Sequence, residues 1–428
     1  MTTVTTADKE IFARRESEAR SYCRSFDTVF TKASGSIMTD AEGHEYIDFL
    51  AGCSSLNYGH NDPDMKAALI EHISNDGIAH GLDMYTETKS AFLQSFEENI
   101  LKPRGMDHKV MMVGPTGTNA VEAAMKLARK VTGRSNIIAF TNGFHGMTLG
   151  ALAATGNEGK RGGAGMDLHG VTRMPYEGAF GEDVDTLALI EQMLENPSSG
   201  IDAPAAFILE PVQGEGGLNA ASKEWIEGIG RLAKKHGALL ILDDIQAGIG
   251  RTGTFFSFEE MDVQPDLVPM AKSLSGMGLP FAALLVRPQH DVWKPAEHNG
   301  TFRGNTHAFV TARVAIEKFW GDDAFQKDIE TKAAILAESL REIAKEIPGA
   351  TVKGRGMMMG VDVGSGELAG DICAEAFRQG LIIETSGAHD EVVKVLAPLT
   401  TPVETFGKGL KILAEAAAKQ NQMQIAAE

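Results

Sequence analysis

The sequence predicts an α/β fold: a mainly parallel sheet flanked by helices, followed by a smaller α+β unit. Three observations predict it. Short apolar runs alternate with helical patterns through the middle of the chain, which is the signature of strands joined by crossover helices. The run Ala238-Leu239-Leu240-Ile241-Leu242 is apolar throughout, as expected of a strand buried on both faces. From about Phe309 the texture changes to a long helical pattern and then short Gly-rich strands.

In chain order, Met1 to Arg20 alternates charges around no apolar core, so no signal peptide is expected there. No stretch is long and apolar enough to span a bilayer. Strands are expected at 109–113, 136–140, 205–209, 238–242 and 282–286, with helices at 119–130 and 223–236 between them. Beyond them come a long helix at 323–346 and a strand pair around Gly354-Arg355-Gly356 and 360–363. Two more strands at 381–383 and 392–396 lead to an Ala-rich terminal helix. The expected division is an N-terminal segment, 1–47, packing with a small domain at 309–428, and a large domain at 48–308. A chain of 428 residues exceeds one comfortable domain.

Composition is that of a globular protein, 43% hydrophobic and 23% charged. The net charge of −18 argues against nucleic acid or an anionic membrane as partner, because the summed field repels both. Cys23, Cys53 and Cys373 are odd in number and far apart, which suggests neither a disulfide framework nor a zinc site. A cytoplasmic location is expected.

The chemistry centres on Asp243, at the end of the run 238–242, and Lys272, just after Leu267-Val268-Pro269-Met270. Open α/β sheets bind ligands at the carboxyl ends of their strands. A carboxylate there needs a cation, and a desolvated lysine becomes a neutral nucleophile. Pyridoxal phosphate chemistry requires such a pair, a Schiff-base lysine and an acid facing the pyridinium nitrogen. A salt bridge between neighbouring strands accounts for these two residues as well.

Further segments bear on the choice. Gly114-Pro115-Thr116-Gly117-Thr118-Asn119 joins a strand to a helix, where unpaired N–H groups and the helix dipole hold phosphates; turn glycines with an N-cap are the plainer reading. Phe144-His145-Gly146 follows the next strand and offers an aromatic to stack on a planar ring. Glu210-Pro211-Val212-Gln213-Gly214-Glu215 sets two carboxylates and an amide on one loop. Ile245 and Gln246 follow Asp243, one able to cover a ring face and the other to reach a ring hydroxyl. Gly248-Ile249-Gly250-Arg251-Thr252-Gly253 satisfies the GxGxxG dinucleotide pattern, but it neither directly follows the strand nor opens a helix.

Taken together and in this order, these motifs, with Glu122-Ala123-Ala124-Met125-Lys126 and Thr301-Phe302-Arg303-Gly304-Asn305, resemble the class III pyridoxal phosphate-dependent aminotransferases from about Asp48 onward. The resemblance implies a fold type I enzyme with a mainly parallel seven-stranded sheet. It also implies a homodimer, or a dimer of dimers, with active sites at the subunit interface. It assigns Gly117 and Thr118 to the cofactor phosphate, Phe144, His145 and Ile245 to its ring, Asp243 to the ring nitrogen, Gln246 to the ring hydroxyl and Lys272 to the covalent link. Thr301 is assigned to the phosphate of the neighbouring subunit.

The departures narrow the substrate. Met147 stands where family members acting on ornithine or 4-aminobutyrate usually carry arginine, and Lys394 where an arginine precedes the Pro-Pro-Leu segment; lysine lacks the bidentate fork. Asp244 replaces a glutamate and Thr306 a proline. This combination is similar to family members of ectoine biosynthesis, an osmoprotection route, that transfer the amine of L-glutamate to L-aspartate 4-semialdehyde, giving L-2,4-diaminobutyrate and 2-oxoglutarate. Glu210, Glu215 and Lys394 are the candidate substrate residues, with Glu215 a gate that pairs with Lys394. The alternatives are another ω-aminotransferase (ornithine, acetylornithine or 4-aminobutyrate), an aminomutase, or a nucleotide-dependent oxidoreductase using Gly248 to Gly253.

Overall fold

The computed structural model describes residues 9–427; the first eight positions of the expected N-terminal segment and residue 428 lie outside the described residues. Its largest sheet has seven strands, in the spatial order Lys109–Met112, Ala283–Val286, Leu267–Met270, Leu239–Leu242, Pro204–Leu209, Asn136–Phe140 and Val171–Met174. The three strands Leu239–Leu242, Pro204–Leu209 and Asn136–Phe140 are buried at every position, which is why their sequences are continuous apolar runs rather than alternating ones. Four pairings are parallel. Ala283–Val286 runs antiparallel to both neighbours, so the sheet is mixed. The connection into that strand carries only the short 3-10 turn Lys272–Ser275, and a parallel return needs a longer crossover, usually a helix.

The helix after the first strand spans Gly117–Thr132, starting two residues before the expected 119, and stops at Gly133 with φ 68°, the left-handed cap that glycine adopts without strain. It buries Ala120, Ala123, Ala124 and Ala128, small residues that let it lie close to the sheet. Helix Lys223–Lys235 is capped by Ser222, whose hydroxyl accepts from the Trp225 amide.

Two four-stranded sheets and the two-stranded pair Val212–Gln213 with Asn219–Ala220 complete the fold. Thr351–Arg355, Met358–Asp362, Val392–Val395 and Glu384–Ser386 form one, antiparallel throughout. Phe30–Ser34, Ile37–Asp40 and Glu45–Asp48 form the other, completed by Leu381–Ile382, which pairs parallel with Glu45–Asp48. The expected strand 381–383 therefore divides: the chain leaves one sheet at Ile382 and enters the other at Glu384. Strand Val171–Met174, on the sheet edge and only partly buried, has too little apolar character to stand out in sequence. Among the described residues, no helix is long and apolar enough to cross a membrane, and no cluster of His, Cys, Asp or Glu is arranged to hold a metal ion.

The GxGxxG segment is a structural turn and opens no helix. Arg251 is fully buried. Its guanidinium donates to Asn57 Oδ1 at 2.5 Å, Ala397 O at 2.6 Å and Met357 O at 3.3 Å, so it ties three distant stretches of chain together. Substitution by Met leaves these acceptors buried and unpaired. Arg251→Met is expected to lower the unfolding free energy by about 3 kcal/mol or more, read as a fall in the urea midpoint; an unchanged midpoint would show that the three bonds carry no stability.

Candidate active site

A cavity of about 390 Å³ lies at the carboxyl ends of the central strands, within the size range of small-molecule sites. Much of its wall comes from the ends of five strands. Gly117 and Thr118 follow Lys109–Met112, Phe144 and His145 follow Asn136–Phe140, and Glu210 follows Pro204–Leu209. Asp243, Ile245 and Gln246 follow Leu239–Leu242, and Lys272 follows Leu267–Met270.

Asp243 is buried and pairs with His145, Nδ1 to Oδ2 at 2.7 Å, rather than with Lys272. The salt bridge between neighbouring strands that the sequence left open is therefore not formed. Burial alone would lower the pKa of His145; the hydrogen bond and charge of Asp243, with the charge of Glu210, outweigh it and raise it. The second carboxylate oxygen of Asp243 accepts from the Ile245 amide at 3.2 Å. Glu210 spends both oxygens on backbone, accepting from the Phe144 amide at 2.8 Å and the Gly214 amide at 3.3 Å. Its burial lifts its pKa to about 7 against the pull of His145. Glu210 thus holds Phe144 against the cavity.

Lys272 borders the cavity with φ 51°, a left-handed conformation that costs a non-glycine residue about 1 kcal/mol or more. The next residue anchors it: the Ser273 hydroxyl donates to Ser54 O at 2.7 Å and accepts from the Asn57 amide at 2.9 Å. Burial pushes the Lys272 ammonium toward its neutral form, opposed in part by Glu215. Gly117 packs so tightly on Ile245 that a Cβ would fall 2.9 Å from Ile245 Cδ1.

Lys394 has no exposed surface and lies between two carboxylates, 3.0 Å from Glu215 Oε1 and 2.9 Å from Glu384 Oε1. Burial disfavours its charge, but the two acids overcome this and raise its pKa. Glu215 is held well below the usual carboxylate range by Lys394 and Lys272, against its own burial. Gln246 Nε2 donates to Glu215 at 3.1 Å. Glu215 borders the cavity and Lys394 does not, so Lys394 sits behind it.

Thr301 is exposed in a turn and does not border this chain's cavity. Asp244 is fully buried and turned away from the cavity, accepting from the Ser257 amide and hydroxyl. Sequence reasoning missed Ser55 and the segment 278–281, which also wall the cavity, and Glu384, whose one sequence signal is its place at the end of an apolar strand.

The class III aminotransferase family model matches residues 19–417. This chain belongs to the class III aminotransferases. It is 55% identical over 410 residues to a diaminobutyrate–2-oxoglutarate transaminase of Halalkalibacterium halodurans, covering 95% of this chain and 96% of that one. Its identity to the enzyme of that name from Halomonas elongata is 53%, covering 96% and 99%. Among solved structures, the ornithine aminotransferase of Toxoplasma gondii aligns with a TM-score of 0.84 at 26% identity, over 98% of this chain and 96% of that one.

The residues present suit the aminotransferase cofactor, pyridoxal phosphate. The cavity offers a helix N-terminus for a phosphate, an acid hydrogen-bonded to a buried histidine, and a lysine. The Oε1 atom of Gln246, on the cavity wall, is buried without a partner, which leaves it free to meet a ring hydroxyl.

Burial of Asp244 lifts its pKa to about 7 from 3.8. The folded state therefore keeps a proton that the unfolded chain loses first, and stability falls as pH rises toward 7, then levels. Asp244→Asn is expected to gain on the wild type by roughly 2–3 kcal/mol between about pH 5 and pH 8, measured as the difference in urea unfolding at the two values. An equal difference at both would refute the buried, protonated acid.

Proposed function

We propose that this aminotransferase carries the α-amine of L-glutamate to C4 of L-aspartate 4-semialdehyde, giving L-2,4-diaminobutyrate and 2-oxoglutarate, the entry to ectoine. The observation that carries the chemistry is the strained Lys272 on one wall of a cavity that also holds Asp243 with its buried His145 partner. The choice of acceptor is supported by the relatives named diaminobutyrate–2-oxoglutarate transaminase, at 52–55% identity over nearly the whole chain.

Pyridoxal phosphate, when bound, supplies an aldehyde to take the amine and a ring to accept electrons from the substrate carbon. Gly117 and Thr118 are the residues that would hold its phosphate. Phe144 and Ile245 would cover the two ring faces, and Gln246 would meet the ring hydroxyl. Asp243 would hold the proton on the ring nitrogen, and His145 holds that carboxylate in place by a hydrogen bond. Lys272, its amine favoured in the neutral form by burial, takes the proton from the substrate carbon and returns it. Glu210 acts as a positioning residue through Phe144.

The two substrates differ at the end away from the reacting carbon. Glutamate presents a carboxylate there, and the semialdehyde an ammonium with a carboxylate. Glu215 in place over Lys394 suits an ammonium; Glu215 displaced opens Lys394 to a carboxylate.

The chain divides into a large domain, 48–308, and a small domain, 309–428, with 1–47 on the latter; the pairing of Leu381–Ile382 with Glu45–Asp48 supports that packing. A second copy completes each site with Thr301, a reading supported by the exposure of Thr301, Phe302 and Tyr85 away from the chain's own core. The free state of all three cysteines supports a cytoplasmic setting.

Borohydride reduction of the yellow holoenzyme followed by peptide mapping is expected to find the adduct on Lys272. Lys272→Ala is expected to lose the colour and about 10²–10⁴-fold of the rate. With glutamate as donor, aspartate 4-semialdehyde is expected to be preferred over the semialdehydes of glutamate and succinate, with one 2-oxoglutarate formed per amine transferred. An adduct elsewhere overturns the chemistry, and preference for another aldehyde overturns the acceptor.

A further inference from the structure

The Glu215–Lys394 pair is the middle of a longer line of charge. At one end stands Glu384, fixed opposite Lys394 by strand register and accepting from the Tyr22 hydroxyl at 3.2 Å. At the other end, Glu215 Oε2 lies 4.0 Å from the ammonium of Lys160, which also sits 4.6 Å from the centroid of the Phe144 ring. Lys160 keeps 38% of its side chain exposed, whereas Lys394 has none. The line runs Glu384, Lys394, Glu215, Lys160, alternating in sign and summing to zero, with Lys394 its most buried member.

The two halves differ in rigidity. Glu384 and Lys394 are cross-strand partners in a sheet, so the ladder fixes their backbones opposite each other, and Tyr22 holds the Glu384 carboxylate. Glu215 is on a loop between Gly214 and Gly216, and Lys160 is on the short helix Glu158–Gly162. Movement of Glu215 is the low-cost change available.

We propose that Lys160 is the outer station of Glu215: when a substrate carboxylate engages Lys394, Glu215 rotates outward onto Lys160, while Glu384 keeps Lys394 in place. This rests on the reading that Glu215 and Lys394 discriminate between the two substrates. Charge accounting favours it. With a substrate carboxylate inside and no Lys160, three carboxylates would share one lysine in a partly dry cavity, which is costly. With Lys160, each carboxylate keeps a neighbouring cation. A substrate presenting an ammonium meets Glu215 in its inward position and makes no demand on Lys160. Lys160 is therefore a specificity-determining residue for the carboxylate-presenting substrate alone.

The test compares Lys160→Met, which keeps an apolar stem over Phe144, with Lys160→Arg, which keeps the charge, in holoenzyme of unchanged cofactor absorbance. In Lys160→Met, the single-turnover reaction with glutamate is expected to need about five- to tenfold more substrate for half-maximal rate, with its limiting rate kept within about twofold. The reaction with 2,4-diaminobutyrate is expected to stay within about twofold in both parameters. Calorimetric binding of glutarate, a dicarboxylate with no amine to react, is expected to weaken by a similar five- to tenfold factor, and Lys160→Arg to restore most of it. Glutarate and glutamate affinities unchanged in Lys160→Met, or both half-reactions weakened alike, overturn the proposal. A wild-type enzyme that binds glutarate yet leaves diaminobutyrate unreacted would refute the acceptor instead, and the glutarate titration would still decide the role of Lys160.

Discussion

The buried contact between His145 and Asp243, 2.7 Å apart, is the constraint from which the rest of the site follows. A carboxylate at the end of a strand buried on both faces has no water to solvate it, so the fold must bring a polar partner to it. The partner comes from the loop after Asn136–Phe140, two strands away in the sheet. Its arrival fixes Phe144 on the cavity wall, and Glu210 secures that loop by accepting from the Phe144 amide. One electrostatic requirement thereby sets the position of an acid, a ring-stacking aromatic and a second carboxylate.

That arrangement frees Lys272 from ion pairing with Asp243. The lysine is held instead by backbone: a left-handed φ, and a following serine bonded to Ser54 and Asn57. Asn57 also meets Arg251, and Arg251 in turn meets the carbonyls of Met357 and Ala397. The nucleophile is therefore braced through Ser273, Asn57 and Arg251 to the C-terminal part of the chain. The strain at Lys272 is small beside the hydrogen bonds that impose it.

The same accounting of buried charge governs the substrate end. Where a guanidinium could share two oxygens of one partner, a lysine is a point charge, and here it is matched by Glu215 on one side and Glu384 on the other. Lysine with two acids carries a net charge of −1 where arginine with one acid would be neutral, and Lys160, beyond Glu215, brings the set to zero.

Much of this was legible in the chain itself. Buried strands announce themselves as unbroken apolar runs, and an acid, a lysine and a Gly-Thr turn at the ends of such runs mark a ligand-binding sheet edge, because local sequence carries burial and turn chemistry directly. The sense of strand Ala283–Val286 was not legible, since antiparallel and parallel strands buried on both faces read alike. Nor was the division of 381–383 between two sheets, because a bend leaves the apolar pattern intact. The partner of Asp243, the bracing of Lys272 by Arg251 and Asn57, and the meeting of Glu384, Lys394, Glu215 and Lys160 join residues up to hundreds of positions apart. Sequence by itself determined which residue types stand at strand ends; only the packed chain decided which charges meet, because pairing across the fold depends on distances that no local pattern encodes.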